Sequence, residues 1–224
     1  MNLNKSIEFF NPKQVQEPIH IIGCGAIGST IAENLARLGI NTMHLWDFDI
    51  VEAHNIANQM FYADQIKKPK TVALAEILTA INPEIKLILH EAWQPEEMML
   101  TGFVFMCVDK ISVRKQILEN IQFNDKIIAI FDSRMRLTDA QHYASSWQTP
   151  SQKEFLIKTM DFTDEEAAEQ TPVSACGTTL SVNYTVRVIA ALAVNNFVHK
   201  VNNNALYKTI LLDLASPNID AFLE

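Results

Sequence analysis

An α/β fold with a doubly wound, mostly parallel sheet is what this sequence predicts, and three observations predict it. The first is Pro18 to Gly39, PIHIIGCGAIGSTIAENLARLG. A short apolar run ends at Gly23-Cys24-Gly25-Ala26-Ile27-Gly28, and a segment with Ile27, Ile31, Leu35 and Leu38 at helical spacing follows. Strand, glycine turn and helix form the context in which G-x-G-x-x-G carries a meaning. The second observation is the repeated alternation of apolar runs with helix-period segments as far as Phe131, the pattern of parallel strands joined by crossover helices. The third is that Asp47, Asp49 and Asp109 fall at the carboxyl ends of such runs, the edge where open α/β sheets bind ligands.

Each element follows in order. Residues 1–17 are polar and mixed, an arm or short helix before the first strand. Thr42 to Asp47 is the second strand, and Asp47 lies 22 positions after Gly25, the spacing of an acid that accepts from a ribose. Residues 50–70 are a polar-rich connector. Pro69 opens a helix carrying Leu74, Ile77, Leu78 and Ile81 on one face, and Asn82-Pro83 stops it. Ile85 to Leu89 reads as a third strand. Gly102 to Val108 reads as a fourth, apolar enough for a buried parallel strand, and Asp109 follows directly. Residues 111–122 form a helix with Ile117, Leu118 and Ile121 inward, and Lys126 to Phe131 is the fifth strand. Beyond it the pattern changes. Asp132 to Gln152 holds strand-like pieces without helices, residues 161–171 are acidic and mobile, a helix runs from about Thr178 to His199, and Leu206 to Leu214 is a last strand. The expected plan is one domain over 1–224. A Rossmann-like nucleotide-binding core occupies 1–137, and a mixed or antiparallel extension occupies 138–224, with a crossover loop, a long helix and an edge strand.

Composition narrows the function. Hydrophobic residues at 48% and charged residues at 20% support a true core. A net charge of −8 argues against nucleic acid or an anionic membrane surface as partner, because both select a basic face. The amino-terminal residues lack an apolar signal core, and no apolar run reaches membrane-spanning length, so a cytoplasmic protein is expected. Cys24, Cys107 and Cys176 are widely spaced, which excludes a four-cysteine zinc site within the chain. The glycine turn suits phosphate: Gly23 makes the tight turn, Gly25 lets backbone approach, Gly28 lets helix pack on strand, and the helix amino terminus offers free N–H groups.

Taken together, Gly23-x-Gly25-x-x-Gly28, Asp47-x-Asp49, Asn55, Gln59, Lys70, Asp109 and Arg114 resemble the ThiF/MoeB/HesA family, the adenylating domains related to ubiquitin-activating enzymes. The likeness runs through LWDFDIVEAHNIANQ, KKPKTVALAEILTAINPEI and CVDKISVRKQI and covers most of residues 18–137. It implies ATP-dependent adenylation of the carboxyl terminus of a ubiquitin-like or sulfur-carrier protein or peptide, with release of pyrophosphate, by a homodimer. It also implies roles. Gly23, Gly25, Ala26, Ile27, Gly28, Asp47, Asp49 and Gln59 bind nucleotide, Lys70 and Asn55 contact phosphates, and Asp109 lies near Mg²⁺, a hard cation that suits carboxylate. Arg114 occupies the family's D-x-x-x-x-R pattern and is either a site residue or a structural ion-pair partner. Cys176, before the long helix, is where several members place a reactive cysteine. A packing role fits it equally, whereas Cys24 and Cys107 read as structural.

The sequence also departs from the pattern. Asn58 stands where N-x-x-R-Q has arginine, and Asp109 is followed by Lys110 rather than asparagine. Residues 1–36 contain no arginine to reach across a dimer, and the zinc-binding C-x-x-C pairs are missing. Arg134 and Arg136 lie just past the fifth strand and are candidate replacements for the missing cation. Two other classes share parts of the pattern: an NAD-dependent oxidoreductase, and a catalytically inactive scaffold or partner subunit.

Overall fold

The computed structural model describes residues 1–90, 99–175 and 179–223. One sheet of eight strands runs through it in the order β3-β2-β1-β4-β5-β6-β7-β8. β1 (Ile19–Ile22), β2 (Thr42–Trp46), β3 (Lys86–His90), β4 (Gly102–Met106) and the start of β5 (Ile127–Met135) pair in parallel. In register, Ile21 lies between Leu45 and Phe105. β6 (Asp139–Ser146), β7 (Tyr207–Asp213) and β8 (Asn218–Leu223) continue the sheet antiparallel. The doubly wound parallel core with an antiparallel continuation is the fold expected above.

The strands that read as unbroken apolar runs are buried on both faces, as parallel strands covered by helices must be. β1 and β4 have no exposed residue. On one face, α1 (Ala26–Arg37), α2 (Lys70–Ile81) and α6 (Asn183–Val201) bury Ile31, Leu35, Leu74, Leu78, Ile189 and Phe197 against Ile21, Leu45 and Phe105. On the other, α3 (Ile111–Ile121) and α4 (Pro150–Lys158) bury Ile117, Leu118 and Leu156 against Val104, Met106 and Ile130.

Differences from the expected plan lie mostly after β5, and each has a local cause. β5 runs on to Met135 because it turns into a hairpin with β6. A helix, α4, follows at Pro150, whose missing N–H costs nothing at a first helical position. The acidic stretch is not irregular throughout: α5 (Asp164–Glu169) is capped reciprocally by Thr163 and Glu166. That Thr-x-x-Glu signal was present in the sequence. The long helix starts later, at Asn183, and β8 was not anticipated. No helix among the described residues is long and apolar enough to cross a membrane.

Candidate nucleotide site at the carboxyl edge of the sheet

The glycine turn joins β1 to α1 and is held from below by β2. Gly23 N–H donates to Trp46 O at 2.8 Å, and Cys24 N–H donates to Asp47 Oδ2 at 2.7 Å. The three glycines serve different ends. Gly23 has φ +92°, and a Cβ there would meet Cys107 backbone at 2.8 Å. A Cβ on Gly28 would lie 1.9 Å from Gly23 O, so helix and turn touch only because it is absent. A Cβ on Gly25 would meet nothing within 4 Å. Gly25 is the amino cap of α1 and lends no side chain to the first-turn N–H groups, so the helix end opens onto space.

Asp47 is committed to this turn. Its Oδ1 also accepts Asp49 N–H at 2.8 Å. Burial pushes its carboxyl above the usual range, against the pull of these hydrogen bonds and of Lys70.

Beside it, Asp49, Ile50, Glu52, His54, Asn55 and Lys70 line a cavity of about 170 Å³. Lys70 starts α2 and is almost entirely covered, yet its Nζ reaches Asp49 Oδ2 at 2.8 Å, on a carboxylate that is half exposed. Lys70 N–H also donates to Asp49 O at 2.9 Å, so strand tip and helix start are clamped together. Asn55 is buried; its Oδ1 accepts Glu52 N–H at 2.9 Å, an ordinary cap of the short 3-10 turn Ala53–Ala57. Gln59 Oε1 is buried and has no hydrogen-bond partner among the described residues. Asp49, Asn55 and Lys70, scattered in sequence, thus share one cavity.

Asp109 lies apart from that lining, exposed in the turn after β4, with its Oδ1 accepting Lys110 N–H at 2.9 Å. Arg114 is an interior residue that binds Asp132 and the carbonyl oxygens of Met106, Val108 and Ser133. Of the two candidate replacements for the missing cation, Arg134 requires correction, since it is committed to a buried carboxylate. Arg134 binds Asp132 and Thr159, with every guanidinium nitrogen partnered, and Arg136 pairs with Asp139 at 2.8 Å. Burial holds both described thiols protonated, Cys24 strongly raised and Cys107 pushed up to about 12. Cys176 lies outside the described residues.

The sequence reading missed Asp132, the carboxylate that binds both arginines; its only signal was its place at the end of an apolar strand. It also passed over Glu52 and Ile50, which line the cavity.

Comparison with known proteins shows what the chain is similar to. Ubiquitin-like modifier-activating enzyme 5 of Drosophila persimilis is 30% identical over 155 residues, covering 59% of this chain and 38% of the relative. The Dictyostelium discoideum enzyme of that name is 43% identical over 70 residues, 31% of this chain and 18% of the relative. This chain therefore spans well under half of these curated relatives. Among solved structures, Escherichia coli MccB with AMPCPP and MccA superposes with a TM-score of 0.75 at 16% identity, covering 95% of this chain and 65% of that one. PaaA does so at 0.71 and 17%, with 95% and 66% covered. At such identities the likeness is one of fold. The ThiF family model matches residues 13–221, and the chain belongs to the ThiF family.

Proposed function

We propose that this protein adenylates the C-terminal carboxylate of a ubiquitin-like or sulfur-carrier protein or peptide, consuming ATP and releasing pyrophosphate. The observation that carries the reading is the open glycine turn beside the Lys70 cavity in a chain of the ThiF family. The names of the relatives and the AMPCPP and MccA of the MccB structure point the same way.

The residues suit the chemistry. An acceptor carboxylate oxygen attacks the α-phosphorus, and the bond from that phosphorus to the bridging oxygen of pyrophosphate breaks. Two anions must approach one another, so the site has to supply fixed positive potential. The first-turn N–H groups of α1, above the Gly25 opening, take phosphate oxygens. Lys70 exchanges Asp49 for a phosphate and so keeps an anionic partner without leaving its burial. Gln59 Oε1 is an acceptor without a donor among the described residues, as a nucleotide amino group requires. Asp47 orients the turn and still has acceptor capacity for a ribose hydroxyl. No group of three or more metal-ligating side chains occurs among the described residues, so a cation would arrive with its own ligands, as Mg²⁺ does on a triphosphate. Asp109 would hold it there, and Mg²⁺ would supply charge neutralisation of the leaving group. Cys176 would accept the acyl group from the adenylate as a thioester, with AMP leaving, if the reaction continues. A cytoplasmic homodimer completes the proposal.

A second reading has one observation in its favour. The charged lining of the cavity is two carboxylates, Asp49 and Glu52, against one ammonium, and Asn58 replaces an expected arginine. This favours a partner subunit that does not turn over. ATP–pyrophosphate exchange with a carrier ending in Gly-Gly separates the two: exchange that falls in Lys70→Ala and Asp109→Ala supports the enzyme, and its absence in the unaltered protein leaves the partner subunit.

A further inference from the structure

Two guanidiniums surround one carboxylate within β5. Asp132 is fully buried; Arg134 meets its Oδ2 at 2.6 and 2.7 Å, and Arg114 meets its Oδ1. Arg134 alone would balance the charge. The second, Arg114, is 3% exposed and leaves the node with an excess of positive charge, an expensive arrangement if its sole purpose were an ion pair. Burial and the Arg134 charge lower its pKa to about 9, while Cys107 and Asp109 act in the opposite direction.

Arg114 does something Arg134 does not. Its Nη1 lies 3.4 Å from Met106 O, and its Nη2 donates to Val108 O and, at 3.1 Å, to Ser133 O. Met106 ends β4, Val108 precedes Asp109, and Ser133 lies on β5. One planar side chain therefore fastens the turn that presents Asp109 to the neighbouring strand. A lysine, with a single small head group, cannot span those carbonyls and the carboxylate together.

We propose that Arg114 is a positioning residue for Asp109, holding its turn where a Mg²⁺–nucleotide would meet it. The proposal rests on the nucleotide reading above and assigns Arg114 no contact with substrate.

The test is calorimetric binding of AMPCPP with and without Mg²⁺, together with thermal unfolding of each variant. The readout is the factor by which Mg²⁺ strengthens binding. In Arg114→Lys, as in Asp109→Asn, this factor falls towards one, whereas Arg134→Lys keeps the unaltered factor despite a comparable loss of thermal stability. Arg114→Gln removes the excess buried charge, leaves Asp132 paired with Arg134, and keeps the test alive if Arg114→Lys fails to fold; it too loses the Mg²⁺ factor. The proposal is overturned if either Arg114 variant retains the factor, or if Arg134→Lys loses it equally. Unaltered protein that binds AMPCPP without Mg²⁺ enhancement sinks the proposal and leaves the glycine-turn reading intact. Protein that does not bind AMPCPP sinks both.

Discussion

Lys70 with Asp49, and Asp132 with its two arginines, are ion pairs of similar chemistry near the carboxyl edge of one sheet. Asp49 keeps about half of its side chain in solvent, whereas Asp132 has none there. Water can solvate Asp49 once Lys70 leaves it, so a phosphate can take the lysine at small cost. Nothing can solvate Asp132, and removing a partner there strands a charge in the interior. The difference teaches that exposure, rather than residue type, separates an exchangeable pair from a permanent one.

The largest effect that would test this contrast is on the buried side. Asp132→Asn leaves two guanidiniums without a counter-charge and should cost about 3–5 kcal/mol in denaturant unfolding. A loss below about 1 kcal/mol would remove the distinction between the two pairs.

Acid probes the same interior by another route. His20 Nδ1 accepts Trp46 Nε1–H at 3.2 Å, and His142 Nε2 accepts Asn196 Nδ2–H at 3.1 Å, so both rings are held neutral. Burial lowers each to about 3, with His44 and His90 adding to the effect at His20. The unfolded chain takes up those protons first, near pH 6.5. Their contribution is therefore fully present above that pH and is lost as pH falls from about 6.5 towards 3. Two such groups should cost about 2.5 kcal/mol per pH unit in the middle of this window. Denaturant midpoints measured at intervals between pH 7 and pH 4 check it; a flat profile contradicts neutral burial.

Gly28 and Gly25 repeat the contrast on a smaller scale. Gly28→Ala places a methyl against Gly23 O and should destabilise by about 1–3 kcal/mol or more. Gly25→Ala adds a methyl to open space, so the fold should hold while AMPCPP affinity drops; equal stability losses in the two would show that the opening is not there.

Lys70→Met should likewise change stability little, under about 1 kcal/mol, since its partner is half exposed. Nucleotide affinity should nevertheless fall roughly tenfold or more, the loss of a charge-assisted contact worth about 1.4 kcal/mol or above. Affinity that survives this substitution would return Lys70 to a structural role.

Legibility in the sequence tracks how locally each feature is specified. Short-range signals announced β1, the glycine turn and α1, because strand, turn and helix occupy consecutive residues. The Lys70 cavity was legible only through resemblance, since Asp49, Asn55 and Lys70 meet by folding of the connector between β2 and α2. α4 and α5 carried their own start signals, Pro150 and Thr163-x-x-Glu166, and were hidden by the low hydrophobicity around them. β8 had no such signal. All six of its residues are exposed, so no buried face imposes a periodicity on Asn218–Leu223.

By itself the sequence determined the parallel core, because strands buried on both faces must be apolar throughout and glycine must stand where backbone meets backbone. Only the tertiary structure decided the charge pairing. Arg114 could have met phosphate, Asp109 or solvent from its place in a helix; the packing of α3 under β4 and β5 turned it inward to Asp132. Partner choice among charges depends on which groups lose water together, and that is settled by packing rather than by spacing along the chain.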